Sequence, residues 1–215
     1  MEVALINGSP KGKTSNSECI INDIKQCLEG NKDSIIIHEY IWNRHQFLQK
    51  DFEEICHSDA MVFVFPLYID SIPSHLLRIL VDFEDYVVNL RKSGNAGQIK
   101  DVNVFAVVNN GFFEGKQNHI AIANIKHWCS HIGFNMCQGI GTGGGGMLPS
   151  IQKVPLGHGP KKKIGAAIEE MASNIISGKS GKSQYMEPDF PALVYKFIVE
   201  RQWRSNAKAN GTKLK

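Results

Sequence analysis

The sequence lacks a hydrophobic run long enough to cross a membrane, since no stretch approaches the roughly 18 consecutive apolar residues that a spanning helix needs. It also lacks a basic segment ahead of its first apolar run, residues 3–6, and that run is too short for the core of a signal peptide. We therefore expect a cytoplasmic protein without a transmembrane segment.

Cysteine is scarce and badly spaced for cross-links or metal binding. The five cysteines are odd in number and include no CxxC pair; they stand at positions 19, 27, 56, 129 and 137. This pattern argues against a disulfide framework and against a zinc site. Cys19 and Cys27 share one face of a predicted helix, so we expect both to be small core residues.

An excess of either charge is also missing, because 24 basic and 21 acidic residues leave a net charge of +3. So mild a charge does not indicate a nucleic-acid partner. What the chain has instead is a regular alternation of strand and helix patterns, which predicts a parallel sheet with crossover helices. The predicted strands are five apolar runs, at residues 3–7, 34–40, 60–65, 102–108 and 134–140.

The first predicted strand leads into a loop that has the composition of a phosphate-binding segment. This loop, GSPKGKTSNSE at residues 8–18, is followed by a helical pattern that begins after Ser15, Asn16 and Ser17. A loop and a first helical turn offer unpaired backbone N–H groups, and the helix dipole favours an anion there. Taken alone, however, the loop favours a plain strand–turn–helix with an N-cap at Ser15 or Asn16.

Two nucleotide-binding motifs fit this loop poorly. GxxxGKT is one residue shorter between its glycines than the P-loop GxxxxGK[ST], and the strand at 60–65 ends at Pro66 rather than at an Asp that could hold Mg²⁺. A Rossmann GxGxxG is absent, since only Gly8 and Gly12 are present. The remaining possibility is a mononucleotide phosphate held by Ser9 and the Ser15–Asn16–Ser17 cluster, with Lys11 or Lys13 nearby.

The loop resembles the phosphate loop of the flavodoxin-like NAD(P)H-dependent FMN reductases and oxidoreductases, which typically reads GSPR-x-x-S/G-N-S/T. Two later stretches, FPLYIDSIPSHLLRILVDF at 65–83 and VFAVVNNGFF at 104–113, lie at the spacing of that family's flavin-ring loops. Lys11 replaces the commoner Arg, which keeps the charge but loses the bidentate fork. The resemblance covers roughly residues 1–180 and implies a doubly wound, five-stranded sheet of order 2-1-3-4-5.

The resemblance also implies a cofactor, a reaction and a site. FMN would take hydride from NADH or NADPH and pass it to a small acceptor such as a quinone or a flavin. Because the cofactor carries this chemistry, no catalytic residue is named. The residues implied to hold the FMN phosphate are Ser9, Lys11, Ser15, Asn16 and Ser17. Those implied to hold its ring are Pro66, Leu67, Tyr68, Ile69, Asp70, Asn109, Asn110, Gly111 and Phe112. In the two ring loops, backbone amides are expected to face the ring.

A non-enzymatic flavodoxin-type electron carrier is the alternative. Such carriers are usually small and acidic, so the length, the near-neutral charge and the Gly-rich segment 141–146 favour an enzyme that receives anionic NAD(P)H. The Gly-rich segment itself reads equally well as a mobile loop or as a close backbone approach to the flavin or nicotinamide. Lys161, Lys162 and Lys163 open a helix and are either solvated or attract the NAD(P)H phosphates, and solvation is favoured.

Two further segments bear on partners. The predicted third helix, after Pro73 with Ser71 as a possible cap, has more apolar positions than one face needs, so a neighbouring helix, the C-terminal tail or a second subunit must cover the rest. The resemblance favours the second subunit and implies a homodimer. Residues 181–215 form a C-terminal helical tail with an apolar stripe at Leu193, Val194, Phe197 and Ile198 and a basic second half. The stripe is short, so packing within a protein is favoured over a membrane surface.

Overall fold

A computed structural model of the chain describes residues 1–30, 34–45, 48–95, 97 and 99–211. The described strands are β1 (Glu2–Asn7), β2 (Ile36–Ile41), β3 (Ala60–Pro66), β4 (Asn103–Asn109), β5 (Asn135–Thr142) and β6 (Gln184–Met186). The described α-helices are α1 (Asn16–Glu29), α2 (Gln49–Cys56), α3 (Ser74–Lys92), α4 (His119–Ile132), α5 (Lys162–Ser177) and α6 (Ala192–Ala209). No helix in these residues is long and apolar enough to span a membrane.

All neighbouring strands are parallel, in the order β2-β1-β3-β4-β5-β6. The parallel α/β architecture and the order 2-1-3-4-5 match the prediction, but the predicted count of five strands is wrong. The sixth strand has only three residues and pairs with the end of β5, Gly141 opposite Tyr185. Its sequence, QYM, is too short to show a period, and it lies beyond the predicted domain boundary at residue 180.

The central strands are apolar throughout because helices cover both faces of the sheet. One core contains residues of α2, α3 and α4, and the other contains residues of α1 and α5. The first core is rich in aromatic rings that pack edge-on. The ring centroids of Phe52 and Phe83 are 5.0 Å apart, and those of Phe63 and Trp128 are 5.7 Å apart. This packing fixes the strand ends from which the loops leave.

The start of α3 differs in detail from the prediction. Pro73 is the N-cap residue rather than the first helical residue, and it offers no side-chain cap. Ser71 does not cap the helix but bonds back to Tyr68, closing a tight turn. Leu77 and Val81, on the outer side of α3, are each 49% exposed, so the described chain leaves part of this apolar face uncovered.

The position of Lys161 contradicts both interpretations of the lysines at 161–163, since its side chain is neither solvated nor free to attract NAD(P)H phosphates. Its side chain is buried, and its ammonium donates a 2.7 Å hydrogen bond to the Asp23 carboxylate on α1. Burial raises the pKa of the Asp23 carboxyl, and Lys161 offsets part of that rise. The pair joins α1 to the start of α5 across 138 residues of sequence, whereas Lys162 and Lys163 are exposed.

We predict that Lys161→Met lowers the free energy of unfolding by about 3–5 kcal/mol, because it leaves Asp23 buried without its cation. Urea denaturation measures the loss, and Lys162→Met is the matched control, since Lys162 is the exposed neighbour. Adding Asp23→Leu to Lys161→Met should recover most of the loss. Equal stability of the two single variants would contradict this role.

Candidate functional site

Three loops leave the sheet at the carboxyl ends of β1, β3 and β4 and enclose a cavity of about 220 Å³. Ligands of doubly wound sheets bind at this edge. Eleven residues line the cavity, and all of them belong to the predicted set: Ser9, Lys11, Ser15, Asn16, Ser17, Pro66, Leu67, Tyr68, Asn109, Asn110 and Gly111. The predicted residues that do not line it are Ile69, Asp70 and Phe112.

The helix end at this cavity is arranged to receive an anion. Ser15 is the N-cap of α1, and its hydroxyl accepts a 3.1 Å hydrogen bond from the Glu18 amide. The amides of Asn16 and Ser17 stand in the first turn, where an α-helix supplies no intrahelical acceptor. The helix dipole adds partial positive charge at the same point. Phosphate is therefore the group that this end of the cavity suits.

Asn7, the last residue of β1, braces the loop from below, and the sequence analysis missed it. Its side-chain amide donates to the Gly12 carbonyl at 3.1 Å, to the Ser15 hydroxyl at 3.3 Å and to the Glu18 carboxylate at 2.7 Å. Its side-chain oxygen, Oδ1, accepts a hydrogen bond from the backbone amide of Ser9 at 3.0 Å. The available signal was a carboxamide at the end of an otherwise apolar strand, a position where a buried polar side chain needs several partners.

The two lysines of the loop point to different places. Lys11 lines the cavity, whereas Lys13 lines a separate depression beside Glu18 and Glu39. Gly12–Thr14 is a 3-10 turn, and the Thr14 hydroxyl donates to the Lys11 carbonyl at 2.9 Å. The GKT segment therefore does not wrap the cavity, and this geometry disfavours a P-loop.

His75, at the start of α3, supports the loop from another side. Its Nε2 lies 3.2 Å from the Gly8 carbonyl oxygen. Burial lowers the pKa of His75, which favours a neutral imidazole that donates this hydrogen bond. The loop is thus held both by the end of β1 and by α3.

A buried hydrogen bond joins the start of α1 to the end of β4. The Asn109 amide donates to the Ser17 hydroxyl at 2.9 Å and to the Phe65 carbonyl at 3.2 Å. Both Asn109 and Ser17 are almost fully buried. The Ser17 hydroxyl accepts this bond through its oxygen, so its proton is available to donate to a ligand in the cavity.

The loop after β3 closes as a two-residue turn with unusual backbone geometry. The amides and carbonyls of Tyr68 and Ser71 bond each other at 3.0 Å in both directions. Between them, Ile69 has φ 49° and Asp70 has φ 56°. Positive φ is a genuine outlier for a β-branched residue, and such strain concentrates at functional sites. Ile69 is 99% exposed at the tip of the turn, away from the cavity.

Most of the backbone amides that were expected to face a ring have partners inside the protein. The Leu67 amide donates to Asn109, the Tyr68 amide to Ser71, and the Asn110 amide to Thr142. The Phe112 amide donates to the side chain of Asn110 at 2.9 Å. In the loop at 109–112, the Gly111 amide is the one for which the described residues supply no acceptor.

The Gly-rich segment 141–146 packs beneath the loop after β4. The Gly144 amide donates to Phe112 at 2.6 Å and the Gly145 amide to Asn110 at 2.7 Å. A Cβ on Gly143 would overlap the carbonyl oxygen of Phe113. These glycines permit a close contact between two backbones, so they support the candidate site from behind rather than lining the cavity.

The tail helix α6 contacts the same loop from outside. Tyr195 is buried, its hydroxyl donates to the Gly111 carbonyl at 2.8 Å, and its ring lies 5.6 Å from that of Phe113. Burial raises the pKa of Tyr195, so its hydroxyl stays protonated as a donor. Between α6 and residues 111–114 runs an apolar groove of about 540 Å³, which shares Gly111 with the cavity. The sequence held no signal for Tyr195 in this role.

We predict that Gly143→Ala costs about 1–3 kcal/mol of stability, because the new methyl group must displace the backbone at Phe113. Gly146→Ala is the matched control: nothing lies within 4 Å of its Cβ position, so its stability should stay within about 1 kcal/mol of the native chain. Thermal unfolding measures both. If the two variants unfold at the same temperature, the close backbone contact at Gly143 does not contribute to stability.

Comparison with known proteins finds similarity in structure but not in sequence. No family model matches the chain, and no curated protein matches it. Solved structures do match. The azoreductase AzrA is 13% identical, with a TM-score of 0.55 over 83% of this chain and 100% of its own. An FMN-dependent NADH-azoreductase from Bacillus anthracis, in complex with FMN, is 15% identical, with a TM-score of 0.55 over 81% of this chain and 98% of its own.

A NADPH-quinone reductase from P. pentosaceus is similar to the same extent, at 16% identity and a TM-score of 0.55 over 81% of this chain and 99% of its own. At identities this low, the structural similarity establishes the fold alone. They confirm, at that level, the resemblance on which the sequence analysis relied. The chain has the flavodoxin-like fold that is also found in these reductases.

Proposed function

We propose that this protein is an FMN-dependent oxidoreductase that takes hydride from NADH or NADPH and passes it to a small acceptor. The observation that carries the proposal is the cavity whose eleven lining residues all come from the three loops implied by the resemblance. The printed names of three solved structures with this fold, two azoreductases and a quinone reductase, support a reductase.

The cavity is assigned to the phosphate end of FMN. The amides of Asn16 and Ser17, the hydroxyls of Ser9 and Ser17, and the ammonium of Lys11 are the donors available there. At about 220 Å³, the cavity is smaller than the roughly 300–1,000 Å³ of a typical ligand pocket, so it suits part of the cofactor.

The flavin ring is assigned to the rim of the cavity. Tyr68, which lines the cavity, is 45% exposed, and Phe112, which lies outside it on the groove beside α6, is 57% exposed. Such exposure is unusual for large aromatic side chains unless they contact a ligand or partner. In the loop at 109–112, the Gly111 amide is the backbone donor left available to the polar edge of the ring. When bound, FMN supplies the hydride chemistry, and the protein binds and orients it.

We predict that Lys11→Ala weakens the apparent affinity for FMN by up to about 5-fold, because it removes an exposed cation from the phosphate end. Lys13→Ala is the matched control, since Lys13 lines a different depression. The affinity is measured from the rate of NADH or NADPH oxidation at increasing FMN, with a quinone as acceptor. Riboflavin, which has no phosphate, should bind both variants and the native chain equally.

Three results would contradict the proposal. Absence of turnover at any FMN concentration would leave at most a non-enzymatic FMN-binding module. A larger effect of Lys13→Ala than of Lys11→Ala would mean that the phosphate binds in the depression beside Lys13 and not in the cavity beside Lys11. An equal loss of riboflavin affinity in Lys11→Ala would mean that Lys11 does not act on the phosphate.

We also propose a homodimer that covers the outer face of α3. Leu77 and Val81 are half exposed one turn apart on that face. Leu77→Lys should therefore shift the protein from dimer to monomer in sedimentation equilibrium, because a buried ammonium in an apolar interface is costly. Leu193→Lys, on α6, is the control and should leave the dimer intact. A monomeric native protein would rule this interface out.

A further inference from the structure

The outward face of α6 is apolar in its first two turns. Leu193 is 83% exposed, Val194 44%, Phe197 65% and Ile198 45%. On the opposite side, Tyr195 is buried against Gly111 and Phe113, and this contact holds the helix on the domain. Val194, Phe197 and Ile198 therefore lie uncovered on α6, and Leu193, which also lines the groove toward residues 111–114, extends the same apolar patch.

The apolar patch continues into a basic one along the same side of the helix. Leu193, Phe197, Arg201, Arg204 and Lys208 follow each other at intervals of three or four residues, so they share one stripe. The stripe is apolar in its first half and cationic in its second. Glu200, the one acidic residue of α6, pairs with Arg204 at 2.6 Å, but both are exposed and such a pair contributes little.

Positive charge is concentrated in the segment that begins with α6. Residues 192–215 contain six basic residues and one acidic residue, out of 24 basic and 21 acidic in the whole chain. The other 191 residues therefore hold 18 basic and 20 acidic residues, so the rest of the protein is slightly acidic. The net charge of +3 arises entirely from the segment that also exposes the apolar patch.

We propose that α6 docks the protein on an anionic lipid surface. Leu193, Val194, Phe197 and Ile198 would enter the boundary between headgroups and acyl chains, while Arg201, Arg204 and Lys208 would contact the anionic headgroups. Interfacial helices combine these two elements, with affinity from buried apolar area and from attraction to anionic lipid. This inference does not depend on the proposed function, since it uses no residue of the candidate site.

A lipid surface fits this face better than a second copy of the chain does. Pairing α6 with itself would bring two strongly basic tails together, and like charges oppose such an interface. An acidic protein would need a groove that is both apolar and acidic at the right spacing. A bilayer with anionic lipid supplies both properties next to each other and adapts to a convex helix.

Vesicle binding of the full-length protein tests the proposal. It should cosediment with vesicles of phosphatidylcholine and phosphatidylglycerol, and only weakly with phosphatidylcholine alone. Added salt should weaken binding by screening the headgroup contacts.

Two sets of variants separate the charged and the apolar contributions. Replacing Arg201, Arg204 and Lys208 together by Gln should weaken binding by about 5-fold for each cation removed. The same replacement of three exposed lysines elsewhere is the control: Lys92, Lys126 and Lys153. Phe197→Gln should weaken binding by about 10-fold, and Ile36→Gln, at a 54% exposed position on β2, should not.

Each of the following results would overturn the proposal. The native protein could fail to bind anionic vesicles, or it could bind neutral and anionic vesicles equally. The α6 variants could bind as well as their controls. Alternatively, sedimentation could show that Leu193→Lys or Phe197→Gln dissociates a dimer, in which case α6 is a subunit interface. Thermal unfolding of every variant excludes loss of fold as the cause.

Discussion

The candidate site depends on one constraint, the parallel direction of the strands. Because β1, β3 and β4 run the same way, the loops that follow them leave the sheet at one edge. The hydrogen bond from Asn109 to Ser17 then ties the end of β4 to the start of α1. Asn7 holds the loop between β1 and α1. Three segments that are distant in sequence therefore form one cavity.

The features that were predictable from sequence are those that local chemistry decides. Ser15 is a strong N-cap type and caps α1, and the apolar runs of β3 and β4 form buried central strands. The fourteen site residues were named from the family resemblance, and the structure brings eleven of them together around one cavity, as parallel strands allow. Three residues are exceptions because they occupy the tips of loops: Ile69, Asp70 and Phe112. At a loop tip, a shift of one residue along the chain turns a side chain from the cavity toward solvent.

The features that were missed are those that tertiary contacts decide. Lys161 stands beside two exposed lysines, and nothing in KKK shows that its partner is Asp23, 138 residues away. Gly143 and Gly145 are needed because the backbone of residues 110–113 passes close by, which composition cannot distinguish from mobility. The strand β6 is three residues long and exists through its pairing with β5. Tyr195 likewise owes its role to where α6 packs.

The central claim is that the cavity at the carboxyl edge of the sheet places FMN where NADH or NADPH can reduce it. The most direct measurement is the visible spectrum of the protein reconstituted with FMN under anaerobic conditions, followed as NADH or NADPH and then a quinone are added. The account predicts bound flavin absorbance that is bleached by the nicotinamide and restored by the quinone, with FMN released on heating. A protein that binds no FMN, or whose bound FMN neither cofactor reduces, would contradict it.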